Sequence, residues 1–331
     1  MKIVQTISQF QHIPKGCVLT IGNFDGVHVG HQEILAVARE AAEKNNTELV
    51  AMTFEPHPVA VLHPEKAPGV LSPLDIKKYL LAEYGVDRVI VLRTNRTLLN
   101  LSPEDFARRF LFDHIKPSVV VEGDDFNFGT GRAGSIDTLR KLAAENNFEI
   151  SAVAPKKVRL STGQSIRVSS TMIRYMLEGG HVDDAAIALG RPYRIAERII
   201  PGRGVGVKLG FPTLNMKKPK QVVPAEGVYA GFVKIGEFMD DALRSKEKIP
   251  AVYSIGQART YGDDFPLLIE AHLLIENVGD LIGHYMAMDF IQRIRNQHKF
   301  KTPEDLSKQI AKDCHLASII LAAQGRKFAF E

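Results

Sequence analysis

Two cysteines, Cys17 and Cys314, are all that the 331 residues contain, and neither sits in a CxxC spacing. So few exclude a disulfide framework and predict reduced thiols in a cytosol. Long apolar runs are missing as well. None approaches a membrane span, and the opening MKIVQTISQFQHIPKG has no uninterrupted apolar core of signal-peptide length. Low-complexity tracts and repeats of solenoid period are absent. Neither sign of charge dominates: 42 Lys and Arg stand against 38 Asp and Glu, a net charge of +4. That balance suits anionic small molecules and is too weak to predict nucleic-acid binding. No membrane and no obligate protein partner is expected. What is present is ordinary for a soluble globular protein, 45% apolar and 24% charged. The length suffices for two domains with sizeable cores.

The chemistry-bearing stretch is CVLTIGNFDGVHVGHQEILAVAR, residues 17–39. A β-rich run, Val18–Ile21, breaks at Gly22-Asn23-Phe24-Asp25-Gly26, presents His28-Val29-Gly30-His31 and enters a helical pattern through Ile34, Leu35, Val37, Ala38 and Ala41. The first turn of a helix has backbone N–H groups without intrahelical partners, and its dipole adds partial positive charge. Gly22, Gly26 and Gly30 allow a sharp turn and close approach of a ligand. His28 and His31, three residues apart, fall on one helical face and can donate to the oxygens of one phosphate.

Four further strand runs follow, Leu49–Phe54, Arg88–Leu92, Ser118–Val121 and Phe148–Val153, and helical patterns alternate with them. Ser72-Pro73-Leu74-Asp75 and Ser102-Pro103-Glu104-Asp105 read as helix starts with a serine cap and proline at the first helical position. This alternation predicts a parallel α/β sheet covered on both faces. Ligands of such sheets bind beyond the carboxyl ends of the strands. There lie GNFDGVHVGH, EPHP and EGDDFNFG. A basic segment, Pro155–Arg174, then carries Val168-Ser169-Ser170-Thr171-Met172-Ile173-Arg174, a capped helix start with a cation one turn in and a second anion site. After a short helix, Val182–Leu189, the pattern changes. Tyr193–Ile200, Gly227–Ile235, Ile249–Ile255 and Leu267–Ile275 are short β-rich runs, with no helical pattern until about Leu281, which predicts an antiparallel barrel or sandwich. Thr302-Pro303-Glu304-Asp305 starts a final helix. The boundary is placed at 186/187, giving domains 1–186 and 187–331.

These motifs resemble those of the prokaryotic bifunctional riboflavin kinase/FMN adenylyltransferase (FAD synthetase) family. They are GNFDGVHVGH (22–31), FEPHP (54–58), GDDFNFG (123–129) and VSSTMIR (168–174) in the first half. In the second half they are GRPY (190–193), LGFPTLN (209–215), GVYA (227–230) and EAHLL (270–274). The resemblance implies a nucleotidylyltransferase-type, Rossmann-like α/β domain that joins FMN and ATP into FAD and pyrophosphate. It also implies a riboflavin-kinase-like antiparallel β-barrel with a terminal helix that phosphorylates riboflavin with ATP. By motif position, His28 and His31 steady the α-phosphate, while Asn23 and Asp25 order the loop that Gly22 and Gly30 open to phosphate. Ser169, Ser170, Thr171 and Arg174 hold pyrophosphate. Asp125, Phe126, Phe128 and Arg295 lie at flavin. Gly210, Thr213 and Asn215 take ATP phosphates, Thr213 and Asn215 with Mg²⁺, and Glu270 is the general base.

The second half departs from the pattern. Val205 and Val207 stand where arginines are expected in Gly202–Lys208, with Arg203 or Lys208 as partial substitutes. Ser254–Tyr261 replaces NIGxRPTF, Asp280-Leu281-Ile282-Gly283 replaces DLYG, and Gln297 replaces an acid. These departures predict a kinase module of reduced or altered capacity. The alternatives are a monofunctional FAD synthetase whose second module only binds flavin, an adenylyltransferase for another cofactor precursor, and a non-catalytic flavin-binding regulator.

Overall fold

The computed structural model describes residues 1–257, 267–276 and 279–327. Of the expected NIGxRPTF counterpart, Ala258–Tyr261 lie outside the described residues. Backbone contacts divide the chain into two units. The first comprises Met1–Val158 with Ser165–Ser169, and the second comprises Arg159–Gln164 with the described residues from Ser170 onward. The helical segment that follows Ser169 therefore packs with the second unit, whereas the motifs place the boundary at 186/187.

The first unit is built on six parallel strands: β1 (Lys2–Val4), β2 (Val18–Ile21), β3 (Leu49–Glu55), β4 (Arg88–Arg93), β5 (Val119–Gly123) and β6 (Glu149–Val153). Their order is β1-β4-β3-β2-β5-β6. The central strands bury residues on both faces, which is why they read as continuous apolar runs. Leu19, Ile21, Val50, Met52 and Val120 enter one core with Phe106, Phe110 and Ile136. The helix α1 (Val29–Lys44) packs on β2 and β5, buries Leu35, Ala38 and Ala42 outside that cluster, and so covers the other face. Each large apolar side chain among these, such as Leu35, contributes roughly 1.5–3 kcal/mol on burial. The helices α2 (Leu74–Glu83) and α3 (Ile136–Asn146) complete the alternation. The sheet order reverses between β2 and β5, the switch point where open α/β sheets bind ligands.

One expected cap differs. Ser102 accepts from the Asp105 N–H as predicted, but the residue before α2 is Pro73, with no side-chain cap. The Ser72 hydroxyl is instead drawn to the β2 loop, where it accepts from the Gly26 N–H at 2.8 Å.

In the second unit, α4 (Ser170–Glu178) packs on α5 (Val182–Leu189), and α5 packs on a closed six-stranded antiparallel barrel. Its strands are β7 (Tyr193–Ile200), β8 (Leu214–Met216), β9 (Gly227–Gly236), β10 (Ile249–Gln257), β11 (Leu267–Leu273) and β12 (Tyr285–Arg295). They are ordered β7-β8-β11-β10-β9-β12. The helical pattern expected from about Leu281 is corrected here: 285–295 is the longest barrel strand. Met286–Ile291 are buried without interruption, so the period-2 signal that marks a half-exposed strand is missing. The helix α6 (Pro303–Lys327) covers the outside of β9, β10 and β12, where Ala317 and Leu321 pack on Val228, Ala230 and Val252. Both cysteines are free thiols, and burial pushes Cys17 up to about 12 and Cys314 up to about 11.

Candidate active site

The turn after β2 is forced into shape by its own residues. Phe24, Gly26 and Val27 all adopt positive φ, of 46°, 83° and 40°. For a β-branched residue such as Val27 that conformation is strained, and it persists where surrounding packing holds it. Here Phe24 and Val27 are buried anchors. Asp25 clamps the turn from behind. Its carboxylate accepts the N–H groups of Leu71 and Ser72 at 2.9–3.1 Å and is itself buried. Asp25 therefore orders the loop.

His28 is the N-cap of α1, and its Nδ1 accepts from the His31 N–H at 3.3 Å. The cap bond assigns the His28 proton to Nε2, which becomes a donor. The two imidazoles stack, with centroids 3.7 Å apart and planes 12° from parallel. Phe24 meets His31 edge-on at 5.3 Å. A Cβ at Gly30 would come within 3.2 Å of the His28 ring, so a larger residue there would crowd the imidazole.

Two clefts open at this end of the sheet. One, of about 500 Å³, is lined by Gly22, His28, Gly30, His31, Glu122, Asp125, Phe126, Lys156, Arg167 and Ser169. The other, of about 540 Å³, is lined by Asn23, Phe54, His57, Leu98, Phe106, Phe126 and Phe128, among others. Ile21, Gly22, Asp125 and Phe126 belong to both walls. Phe126 and Phe128 stack at 5.6 Å and 15°. At the rim of the first cleft, Lys156 pairs with Glu33 at 2.8 Å, and Arg167 forms a close ion pair with Asp125. His57, whose Nδ1 accepts from the Val59 N–H, and Glu122 are cleft residues that the motif assignment does not single out. EPHP, the basic segment and EGDDFNFG, which Glu122 opens, already point to this end of the sheet, but nothing in the sequence singles Glu122 out within its turn. Ser170, Thr171 and Arg174 lie on α4, with Arg174 buried.

The second site lies on the barrel. Asn215 on β8 pairs across the antiparallel ladder with Glu270 on β11, and Glu270 pairs in turn with Ser254 on β10. Glu270 and His272 alternate with buried Ile269, Ala271 and Leu273, so they face outward from the barrel. The loop 201–213 runs over this face. A Cβ at Gly202 would overlap the Asn215 amide, and one at Gly206 would overlap the Phe211 carbonyl, with Thr213 Oγ1 close by at 3.3 Å. Phe211 packs edge-on to His272 at 5.4 Å, and His272 Nδ1 lies 2.8 Å from the Pro212 carbonyl oxygen. Burial pushes the Glu270 carboxyl above its ordinary range, and the charge of Arg203 partly opposes this. Val205 and Val207 are exposed. Gln297 donates to Ser254 Oγ at 3.0 Å and to the Ile255 carbonyl at 3.2 Å. Arg295, expected at flavin, is held elsewhere: its guanidinium grips Asp313 of α6 in a forked pair at 2.7–3.1 Å. Gly210 lines a shallow groove with Pro212 and His272.

Residues 10–172 match the family model described as FAD synthetase, and residues 189–321 match the one described as riboflavin kinase. The bifunctional riboflavin kinase/FMN adenylyltransferase of Escherichia coli (strain K12) is 35% identical over 315 residues, covering 95% of this chain and 96% of that protein. The chain belongs to the bifunctional riboflavin kinase/FMN adenylyltransferase family. The family member from Pseudomonas fluorescens is 34% identical over 327 residues, 99% of this chain and 100% of that one. A solved structure described as a macrolide-efflux protein from Streptococcus pneumoniae is similar at a TM-score of 0.82 and 25% identity, over 96% of this chain and 99% of that one. Among the described residues no helix is long and apolar enough to cross a membrane.

Membership implies Mg²⁺, and the donors on the barrel face suit it. Thr213 Oγ1 and the Asn215 amide oxygen are hard oxygen ligands, and Asn215 pairs across the ladder with Glu270. Among the described residues there is no cluster of three His, Cys, Asp or Glu able to hold a metal on its own. A few protein oxygens without a full cage fit an ion that keeps phosphate and water ligands.

Proposed function

We propose that this chain makes FAD from riboflavin in two ATP-dependent steps, each on its own site, as a cytosolic enzyme acting on small molecules. In the first unit an FMN phosphate oxygen attacks the α-phosphorus of ATP. A P–O bond forms, the bond to the bridging oxygen of the β-phosphate breaks, and pyrophosphate leaves. No covalent enzyme intermediate is needed. Catalysis consists of positioning and charge stabilisation.

The observation that carries this reading is the pair of adjoining clefts with Ile21, Gly22, Asp125 and Phe126 in common. One offers aromatic and aliphatic walls for a flavin ring. The other offers two imidazoles and two cations for a nucleotide. Reactants in the two clefts meet at the shared wall. His28 and His31 donate to the α-phosphate oxygens as negative charge builds, and Lys156 and Arg167 attract the phosphate chain. Phe126 and Phe128 flank the flavin. By motif position Ser169, Ser170, Thr171 and Arg174 hold pyrophosphate, so the catalytic division is drawn at 186/187.

On the barrel, Glu270 takes the proton of the riboflavin 5′-hydroxyl as that oxygen attacks the γ-phosphorus, and ADP leaves. Bound with ATP, Mg²⁺ supplies charge neutralisation on the phosphates, and Thr213 and Asn215 would hold it. With Val205 and Val207 exposed in the phosphate loop, the kinase step is the weaker of the two.

The test is incubation with FMN, ATP and Mg²⁺, following FAD and pyrophosphate together. Equal amounts of both are expected, and absence of FAD with either oxidised or reduced FMN overturns the reading. Riboflavin in place of FMN tests the barrel separately.

A further inference from the structure

At the switch point of the sheet the backbone ladder between β2 and β5 stops early. Val18 pairs with Val119 and Leu19 with Val120, and there the pairing ends. The two strands part toward their carboxyl ends and open the crevice in which both clefts lie. Parting leaves the Ile21 N–H without a strand carbonyl in a buried place, a costly state for a backbone donor. The acceptor comes from a side chain 101 residues away: the Glu122 carboxyl takes the Ile21 N–H in a short hydrogen bond. On the other side, the Gly22 N–H donates to the Met52 carbonyl of β3 at 2.9 Å. The last residue of β2 and the first of the turn are thus pinned from opposite sides. These two residues, Ile21 and Gly22, belong to the wall common to the two clefts.

We propose that Glu122 is a positioning residue for adenylyl transfer: its carboxyl replaces a strand carbonyl at the switch point and fixes the Ile21–Gly22 wall against which both reactants are aligned. The inference rests on reading the first unit as the adenylyltransferase. Glu122 is 2% exposed and lines the cleft with the imidazoles. An ionised carboxylate there would repel a triphosphate, whereas a neutral acid keeps the acceptor and removes the repulsion. Burial pushes the Glu122 carboxyl well above its ordinary range, opposed in part by the Ile21 N–H and the Thr20 hydroxyl. The other titratable and charged groups facing this cleft are His28 and His31 of α1, Asp125 after β5, and Lys156 and Arg167 of the basic segment.

The sign of the linkage follows. With its carboxyl pushed up by burial, Glu122 keeps its proton to higher pH in the native state than in the unfolded chain, which releases it near the ordinary glutamate value of about 4.3. Stability from this group therefore falls as pH rises from there toward the folded value. Glu122→Gln keeps an acceptor oxygen and removes the titration. Thermal melts across mildly acidic to mildly alkaline pH should show the Glu122→Gln protein gaining on wild type as pH rises. In FAD synthesis the KM for ATP of the wild type should rise with pH more steeply than that of Glu122→Gln. Glu122→Val, which offers no acceptor, should lose about tenfold or more in kcat, with Glu122→Gln recovering most of it. Phosphorylation of riboflavin by the Glu122→Val protein, tested alongside, reports whether it folds; where it does not, the Glu122→Gln comparison decides.

Parallel pH profiles of KM for wild type and Glu122→Gln, or a melting difference that does not change with pH, overturn the proposal. Wild-type kcat in Glu122→Val does so too. A wild type that makes no FAD refutes the adenylyltransferase reading instead, and the melting series still judges the buried acid.

Discussion

The imidazoles of His28 and His31 lie face to face, 3.7 Å between centroids, held by the bond from the His31 N–H to His28 Nδ1. Stacking sets both rings in one orientation, and the edge of Phe24 backs His31. Two aligned imidazoles are thus built into the start of α1, the preorganisation that charge stabilisation needs.

His28→Ala and His31→Ala should each lower FAD formation by about 100- to 1,000-fold, the range for loss of one such donor. The double variant should fall by less than the product, because stacked residues act as a unit. Steady-state rates with FMN and ATP check this. Riboflavin phosphorylation, carried by the barrel, should continue in all three.

The kinase step should show an acid limb set by Glu270. The base works only when ionised, and burial raises its carboxyl above the ordinary range. Phosphorylation should therefore fall as pH drops through that raised value, at a higher pH than an ordinary glutamate would give. Glu270→Gln should lose about 100- to 10,000-fold and the acid limb with it. Because Arg203 opposes the upward shift, Arg203→Ala should move the limb to still higher pH. A pH–rate profile with riboflavin and ATP measures both.

Restoring a cation in the loop 201–213 should strengthen ATP binding at the kinase site. Val207 is 67% exposed, so arginine fits there without core strain. Val207→Arg should lower the KM for ATP in riboflavin phosphorylation by about tenfold, the gain from one charge-assisted contact to phosphate. The KM for ATP in FAD formation should stay as it was.

Arg295 and Asp313 should prove structural. Asp313 is 2% exposed and its only described ion-pair partner is Arg295. Asp313→Ala leaves the guanidinium without its carboxylate and should destabilise the barrel by about 3–5 kcal/mol. The midpoint of denaturant unfolding reads this out.

Most of the α/β layer is legible in the sequence because its strands are buried on both faces and its helices carry apolar stripes. The apolar runs read at 18–21, 49–54 and 118–121 show this. Lys2–Val4 and Leu214–Met216 escape because three residues carry no readable period. The strand 285–295 escapes for the opposite reason: it is sandwiched between the barrel interior and covering helices, α5 and α6 among them, so alternation disappears. At the site, the glycines and imidazoles of 22–31 declare themselves through spacing. Arg295 shows the limit of that signal. Its residue type suits ligand binding, but the carboxylate of Asp313 holds it. Glu122 is illegible for a related reason. It closes an apolar strand as a turn residue would, and its role depends on Ile21, distant in sequence.

The central claim is that the first unit transfers the adenylyl group of ATP to FMN. Given FMN and ATP labelled at the α-phosphorus, the chain should carry the label into FAD and release unlabelled pyrophosphate. Label that stays in ATP, or that appears in AMP while FMN is unchanged, contradicts the account.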